Sequence, residues 1–496
     1  MYMNDISPML MCDFYKTTHP QQFPKGTTKL VSYFTPRKSR LHCADKVVVF
    51  GLQGFCKEIL IDFFGQWFKT PENEALSAIS HVLDNSIGKQ AYDIEKMREL
   101  HQLGYLPIEI SALPEGTKCP MHVPFMRMEN THDDFAWVPQ FLESLISAET
   151  WHPMVCATVG MMYRNIVNKY YDKTCDDSLE RCRALGDFSF RGQESFFSAI
   201  KSSAAWCLSF VNTATVPTIP YLEKNYNCDC SKDKVGYGAI STEHSVMCSN
   251  AAVDGDEITM LRRLLTELYP DSSFSVVSDS YDYWNLVDNI LPKLYNEIMN
   301  HNGTILIRGD SGNPVDIVTE TVYHLWNIFG GNVNSKGYKV LDPHVKAIYG
   351  DSITVGYCEE IYKRLENEGF AASNVSLGVG SFSMQCIIED GKFSPFTRDT
   401  FCMAIKATYG VINGKEVKIF KDPVTDKDSF KKSIKGLCAV YEEDGEIKYR
   451  DDLYQSDYDE YTKKNGNLFE VVFRDGKMVK DETLGEIRNR LWDGKF

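Results

Sequence analysis

Two carboxylates, a guanidinium and a glycine turn fall within one stretch, Ser275 to Asp316, and their placement limits the chemistry open to the chain. The stretch reads SVVSDSYDYWN, then a helical interval, then TILIRGDSGNPVD. Each half is a short β-branched run that stops abruptly in Asp, Ser, Arg and Gly, which is how a buried strand delivers polar residues to one end of a sheet. Asp279, Arg308, Asp310 and Gly312 are therefore expected at one rim, beside a tight Gly-Asn-Pro turn. Asp at a strand end can hold ribose hydroxyls or bind a hydrated magnesium ion, which keeps several waters and shares its other positions with phosphate oxygens. The grouping suits a phosphosugar and a divalent metal. The competing explanation is that each Asp caps the helix after it; recurrence at two successive strand ends favours chemistry.

Phosphate needs fixed positive charge and free backbone N–H groups. Arg308, Arg398, Lys406, Lys421 and the run Lys431, Lys432, Lys435 supply charge, and LGVGSFS, with Gly378 to Ser383, offers a turn able to present N–H groups to an anion. A basic run is also what an ordinary solvated face looks like. His244 in ISTEHS follows a strand-like segment and has Glu243 and Ser245 beside it, so it could act as a general base or accept a phosphoryl group; a structural histidine fits the same pattern. In GDFSFRG, an aromatic ring with a nearby Arg could stack a flat heteroaromatic base, or Phe188 and Phe190 could simply fill the core.

The elements that would position these groups follow a rhythm. Strand-like ends at LGDFSFRG, LSFVNTATV, YGAISTEHS, FSVVSDSYD, TILIRGDSGNP, VKAIYGDSI and VSLGVGSFS are mostly separated by helical intervals such as TVYHLWNIFG and EEIYKRLENEG. Repeated βα units imply a parallel sheet, and polar strand ends favour a barrel with its site on the C-terminal face. Around this lie a polar first segment whose Asp13 and Lys16, and Tyr15 and His19, are spaced as neighbours on a helical turn, and a passage from Gly104 to Asn130 that alternates like short antiparallel strands. A helical stretch runs from Phe135 to about Tyr171. Past Phe382 the chain turns irregular and charged, with a hairpin-like pair in LCAVYEEDGEIKYRDD. The expected architecture is α/β: a barrel-like, irregular TIM-type domain over 171–385, and a smaller α+β part formed by 1–170 with the segment 386–496 packed on it.

At 496 residues the chain is long enough for two or three domains or one large core with an appended unit, and 43% hydrophobic with 24% charged residues is ordinary for a globular protein. A net charge of −15 argues against general affinity for nucleic acid. Fifteen cysteines without a repeating spacing, and no hydrophobic leader before Asp13, point to a reducing cytoplasm. Cys228 and Cys230 lack a second pair at zinc spacing. No apolar run approaches the roughly 20 residues of a membrane span.

Taken in order, DFYKTTH, SYFTPR, FGLQ, GYLPIEI-ALPEG, DFSFRG, STEHS, SVVSDSYD, IRGDSGNP, GDS, TRD and FKDPV identify a resemblance running from about Pro8 to the last helix. The chain resembles the nicotinate/nicotinamide phosphoribosyltransferase family, and its nicotinamide branch most closely. The resemblance implies transfer of a phosphoribosyl group from phosphoribosyl pyrophosphate to the ring nitrogen of nicotinamide, with Mg2+, in a homodimer that shares its active sites. It implies that Phe188 and the partner subunit's Tyr15 sandwich the pyridine ring, that Arg308 bonds the amide carbonyl and that Arg191 binds the nucleotide phosphate. Asp279, Asp310, Gly350 and Asp351 would line the ribose and metal region, with Asp13 near the ring nitrogen. Gly380 and Ser381 would form the phosphate turn, and Arg37, Arg398, Lys406 and Lys431 the pyrophosphate or ATP-phosphate end. The metal is expected near Asp310, through water and the substrate pyrophosphate rather than a full protein ligand set. ATP would phosphorylate His244 and couple its hydrolysis to product yield.

Three positions depart from the family pattern. Ala214 stands where the nicotinamide enzymes carry an Asp that accepts from the amide nitrogen, Ser381 replaces a Gly, and Ala404 a Ser. A missing polar partner costs about 1–3 kcal/mol, up to roughly a hundredfold in preference, so Ala214 keeps nicotinate as an alternative base. A catalytically silent pyridine-nucleotide-binding protein is the alternative from another class. The retained His244, Asp279, Arg308, Asp310 and Arg398 oppose it.

Overall fold

The computed structural model describes residues 6–177, 179–389, 391–425 and 433–496. Lys431 and Lys432 lie outside the described residues. The chain forms two compact units. One comprises Met1–Thr158, Glu223–Cys228 and Phe396–Lys495, the other Val159–Leu222 and Asp229–Pro395 with the terminal Phe496.

The first unit is built on an antiparallel sheet that draws its strands from both ends of the chain. In spatial order they are Lys415–Lys418, Ala404–Ile412, Thr27–Thr35, Met126–Asn130, Ile108–Ala112, Glu470–Arg474 and Lys477–Met478. Thr27–Thr35 is a central strand, buried from Leu30 onward, and its Tyr33–Thr35 pair with Lys406–Ala404. That register sets the exposed Lys406 across from the buried Tyr33. Helix α1, Glu143–Thr174, begins in this unit and contains Pro153.

The second unit carries a curled parallel sheet. Its strands are β1 (Leu185–Asp187), β2 (Asn212–Thr213), β3 (Phe274–Val277), β4 (Ile305–Gly309), β5 (Val345–Tyr349) and β6 (Val375–Val379), in the order β2-β1-β6-β5-β4-β3. YGAISTEHS, expected to end a strand, forms none. Instead it makes two isolated parallel bridges, Asn212 with Tyr237 and Ser241 with Ser275, so it links the two sheet edges before turning into helix α2, His244–Asp254. Burial alternates along β4: Ile305, Ile307 and Gly309 are buried, Leu306 and Arg308 only half so. Period-two burial puts successive side chains on opposite faces, and it leaves Arg308 pointing away from the helical layer.

Helix α3, Pro314–Phe329, shows why the sequence folds this way locally. Pro314 sits at its first position, where a missing N–H costs nothing. Asn313 caps it, accepting from the Val315 N–H at 2.9 Å and the Asp316 N–H at 3.2 Å. Val315, Val318, Val322, Leu325 and Phe329 form its buried stripe at three- and four-residue spacing, each stabilising by about 1.5–3 kcal/mol against exposure. Gly330, with φ of 73°, ends it. Helix α4, Val355–Asn367, repeats the pattern beside α3, with Cys358, Ile361, Tyr362 and Leu365 buried. The helices thus cover one face of the sheet and leave the strand ends open.

Candidate active site

The polar groups of the second unit converge where its strands stop. Parallel register aligns Val277 with Arg308, and Arg308 with Ile348, so the segments after β3, β4 and β5 leave the sheet side by side. Asp279, two residues past β3, is the hub. Its Oδ2 accepts from the Asp310 N–H at 3.1 Å and the Ser311 hydroxyl at 2.6 Å, and its Oδ1 lies 3.1 Å from His244 Nε2. Burial pushes the Asp279 carboxyl up, but these donors outweigh it and hold the group below the usual carboxylate range. Asp310 goes the other way: burial, then Asp279 and Asp351, raise it, and Arg308 only partly compensates. Arg308 lies 3.4 Å from Asp310 and donates to Ser241 Oγ at 2.7 Å. Two atoms of this network are left over, because Asp310 Oδ1 and Arg308 Nε are buried with no hydrogen-bond partner among the described residues.

Glycines let the strand ends approach. A Cβ at Gly350 would lie 2.1 Å from Asp310 Oδ1, one at Gly380 2.2 Å from Asp351 Oδ1, and one at Gly378 2.5 Å from the Gly350 carbonyl oxygen. Gly350, Asp351 and Gly380 therefore adjoin the acidic cluster directly. Asp351 accepts from the Ser352 N–H at 2.7 Å. Ser381, one of the departures, abuts Gly192: a Cβ there would lie 2.0 Å from Ser381 Oγ. That contact brings the turn after β6 against the turn holding Arg191, which is exposed.

β1 delivers the aromatic pair. Phe188 is half-buried, its N–H donating to the Val379 carbonyl at 2.8 Å, and Phe190 is 37% exposed, so neither ring is a core residue. Beneath Phe188, the fully buried Asp187 accepts from the Ser189 N–H at 2.9 Å and from the hydroxyls of Ser203, Thr213 and Thr215 at 2.5, 2.9 and 3.3 Å. Its carbonyl accepts from the Ala214 N–H at 2.8 Å. The end of β2 thus presents a methyl group at position 214, and the neighbouring carboxylate is taken up by its four donors. Asp187 and Ser241 were missed by sequence reading: DFSFRG drew attention to its aromatics, and nothing near Ser241 marks it as a partner for a residue 67 positions away.

Within the first unit the remaining predicted residues form a second cluster. Tyr15 stands on the short helix Phe14–Thr18 and is 57% exposed. Its hydroxyl donates to Asp13 Oδ2 at 3.3 Å, and Asp13 also accepts from Ser144 Oγ. Burial, then Asp13 and Glu143, raise the Tyr15 phenol, and Arg398 opposes them. Lys406 Nζ lies 3.3 Å from Glu143. Arg37 is fixed through Nε to the Cys402 carbonyl at 3.1 Å, and Arg398 lies 3.4 Å from Asp399. Ala404, another departure, is buried at the start of its strand.

Three of these groups could hold a cation. Single ligand atoms of His244, Asp279 and Asp310 lie within 4.8 Å of one another, and the orphaned Asp310 oxygen is a ready acceptor for a metal-bound water. The residues present fit a hydrated magnesium ion.

A parallel α/β sheet with acids, an imidazole and a guanidinium gathered at the C-terminal ends of its strands defines an enzyme class that binds small substrates on that face. Within that class, the chain belongs to the nicotinate phosphoribosyltransferase family. The model of that family matches residues 184–465, and the model of the nicotinamide phosphoribosyltransferase N-terminal domain matches residues 7–110. The chain is 37% identical to a nicotinamide phosphoribosyltransferase of Acinetobacter baylyi, over 98% of this chain and 97% of the relative. It is 31% identical to one of Xanthomonas campestris pv. campestris, over 98% of each. Among solved structures it is similar in fold to a nicotinate-nucleotide pyrophosphorylase from Pyrococcus furiosus, with a TM-score of 0.60 at 13% identity, covering 99% of this chain and 95% of the other. Human nicotinic acid phosphoribosyltransferase is also similar, with a TM-score of 0.54 at 13% identity, covering 97% and 93%. Among the described residues no helix is long and apolar enough to cross a membrane.

Proposed function

We propose that the protein transfers the phosphoribosyl group of phosphoribosyl pyrophosphate to nicotinamide, giving nicotinamide mononucleotide and pyrophosphate in NAD salvage. The observation that carries the reading is the network joining His244, Asp279, Arg308 and Asp310 at the strand ends of a family member whose curated relatives are nicotinamide phosphoribosyltransferases. Breaking the anomeric bond leaves positive charge on the ribose and negative charge on the departing pyrophosphate, so catalysis is mostly placement and charge stabilisation. Asp279 and Asp310 face the cationic ribose, with Gly350 and Asp351 beside them. Phe188 and the partner subunit's Tyr15 hold the pyridine ring, Arg308 bonds the amide carbonyl, and Arg191 with the Gly380–Ser381 turn takes the nucleotide phosphate. Asp13 lies on the ring-nitrogen side. Arg37, Arg398 and Lys406 are assigned to the pyrophosphate end, as the resemblance also implies for Lys431. Asp310 would hold a magnesium ion through water and the substrate, and that ion would supply positive charge to the leaving group.

His244 is proposed to accept the γ-phosphoryl group of ATP at Nδ1, ADP leaving, with Asp279 holding the ring through Nε2, so that ATP hydrolysis improves product yield. The working form is a cytoplasmic homodimer. Nicotinate is the second reading, and Ala214 favours it, because no carboxylate at that position selects the amide or repels an acid.

A steady-state assay with phosphoribosyl pyrophosphate and magnesium, offering each base with and without ATP, tests all of this. Preference for nicotinamide is expected, with a rise in yield on adding ATP. Preference for nicotinate would move the protein to the sister activity. No turnover of either base would sink the reading. Sedimentation velocity tests the dimer, and a monomer at micromolar concentration would refute shared sites.

A further inference from the structure

Glu143 belongs to none of the roles above, yet two lysines meet on it. Its Oε2 lies 2.5 Å from Lys16 Nζ and its Oε1 3.3 Å from Lys406 Nζ, so each oxygen serves one lysine. The two pairs differ in burial. The Lys16 side chain is 3% exposed, whereas that of Lys406 is 49% exposed. A dry ammonium needs its carboxylate permanently, while a half-solvated pair is weak and exchangeable. Glu143 thus has one fixed end and one releasable end. The adjoining Ser144 hydroxyl takes Asp13, so the first two residues of α1 grip the turn Asp13–Lys16 on both sides of Tyr15.

We propose that Glu143 is a positioning residue for the anion end of the site: it parks Lys406 when no anion is bound and gives it up to pyrophosphate, while its bond to Lys16 keeps the Tyr15 turn in place. The proposal deepens the functional reading and rests on it for Lys406 as a phosphate ligand. Glu143 sets the anion affinity by competition, because the incoming phosphate must replace a carboxylate that already neutralises Lys406. Removing that charge while keeping the shape frees Lys406 for the anion and loosens the turn that carries Tyr15.

The test is calorimetric titration of the full-length protein with magnesium and inorganic pyrophosphate, run as a double-mutant cycle. Glu143→Gln is expected to bind pyrophosphate about three- to fivefold more tightly, the size of an exposed ion pair. Lys406→Ala is expected to bind more weakly, and adding Glu143→Gln to it to give no further gain. In turnover, Glu143→Gln is expected to raise KM for the base more than it lowers kcat. Equal affinity of Glu143→Gln and wild type, an equal gain in both backgrounds, or no binding of pyrophosphate by the wild type would each overturn the proposal. Should the unpaired Lys16 prevent Glu143→Gln from folding, the pair Lys16→Met/Glu143→Gln removes both charges of the pair and carries the same cycle with Lys406. A wild type that turns over neither base but shows the cycle fails the functional reading alone; one that turns over a base without the cycle fails this inference alone.

Discussion

Asp279 and Asp310 lie on neighbouring strand ends and are driven in opposite directions, the first toward its charged form by three donors and the second toward its neutral form by burial. Asp279→Asn keeps the shape but turns one fixed acceptor into a donor facing the Asp310 N–H or the Ser311 hydroxyl. Steady-state kinetics is expected to show kcat/KM down by about 10²-fold, with a melting temperature within a few degrees of wild type. Asp310 carries a pH signature as well. Its carboxyl is raised, so it protonates earlier than an ordinary aspartate as the pH falls, and the acid limb of the rate profile should sit above the usual aspartate range. An acid limb at or below that range would remove Asp310 from the rate-determining step. At position 214 the methyl group lies where the end of β2 meets β1, and Ala214→Asp restores a carboxylate there. The ratio of kcat/KM for nicotinamide to that for nicotinate is expected to rise, by up to about a hundredfold for one buried polar contact. An unchanged ratio would mean that residue 214 does not face the base.

The turns after β4, β5 and β6 pack backbone against backbone, which makes glycine a requirement of the element rather than a local preference. A Cβ at Gly378 would meet the Gly350 carbonyl oxygen at 2.5 Å and its carbon at 2.6 Å, and main-chain atoms cannot swing aside as a side chain can. Gly378→Ala is therefore expected to push β5 from β6 and cost about 1–3 kcal/mol. Melting temperature should fall by several degrees, and kcat by more than that cost alone implies, because Asp351 rides on the displaced turn. Gly356→Ala, on α4 with only Thr354 Oγ1 at 3.9 Å, is the control and should leave stability unchanged or slightly raised. These elements were legible in the sequence because two local signals coincide there: a short apolar run, TILI in one case and VKAIY in the other, and abrupt polar punctuation after it. YGAISTEHS carries the same punctuation but makes only two bridges before α2 starts, and composition does not separate a bridging segment from a strand. Ser241 and Glu143 were illegible for another reason. Their partners lie 67 and 263 residues away, and no spacing rule spans such separations.

The first unit is assembled from three separated pieces of chain, and Glu115 sits where all three meet. It stands in the turn after Ile108–Ala112, its Oε1 accepts from the Gln53 N–H at 2.7 Å, and its carbonyl accepts from Arg490. Gln53 in turn donates to the carbonyls of Asn225 and Glu482, at 2.6 and 2.9 Å, so this one neighbourhood ties the N-terminal, middle and C-terminal pieces together. A cavity of about 10 Å³, room for a single water, is lined by Leu52, Gln53, Glu115 and Glu482. Burial pushes the Glu115 carboxyl up to about 7, against the Gln53 and Gly51 N–H groups, with Glu482 adding repulsion. The folded chain therefore binds this proton more tightly than the unfolded chain, whose carboxyl titrates near the ordinary glutamate value of about 4.3. By linkage, the contribution to stability is complete below that value, declines as pH rises through about 7, and is lost above it. The total is on the order of 3 kcal/mol for a shift of this size. Glu115→Gln keeps an acceptor for the Gln53 N–H and carries no charge at any pH. Its melting temperature is expected to match wild type at pH 5 and to exceed it by a few degrees at pH 8, where the wild type must hold a buried anion beside Glu482. Thermal melts of both proteins across that range decide the matter, and parallel curves would show that Glu115 does not take up a proton on folding.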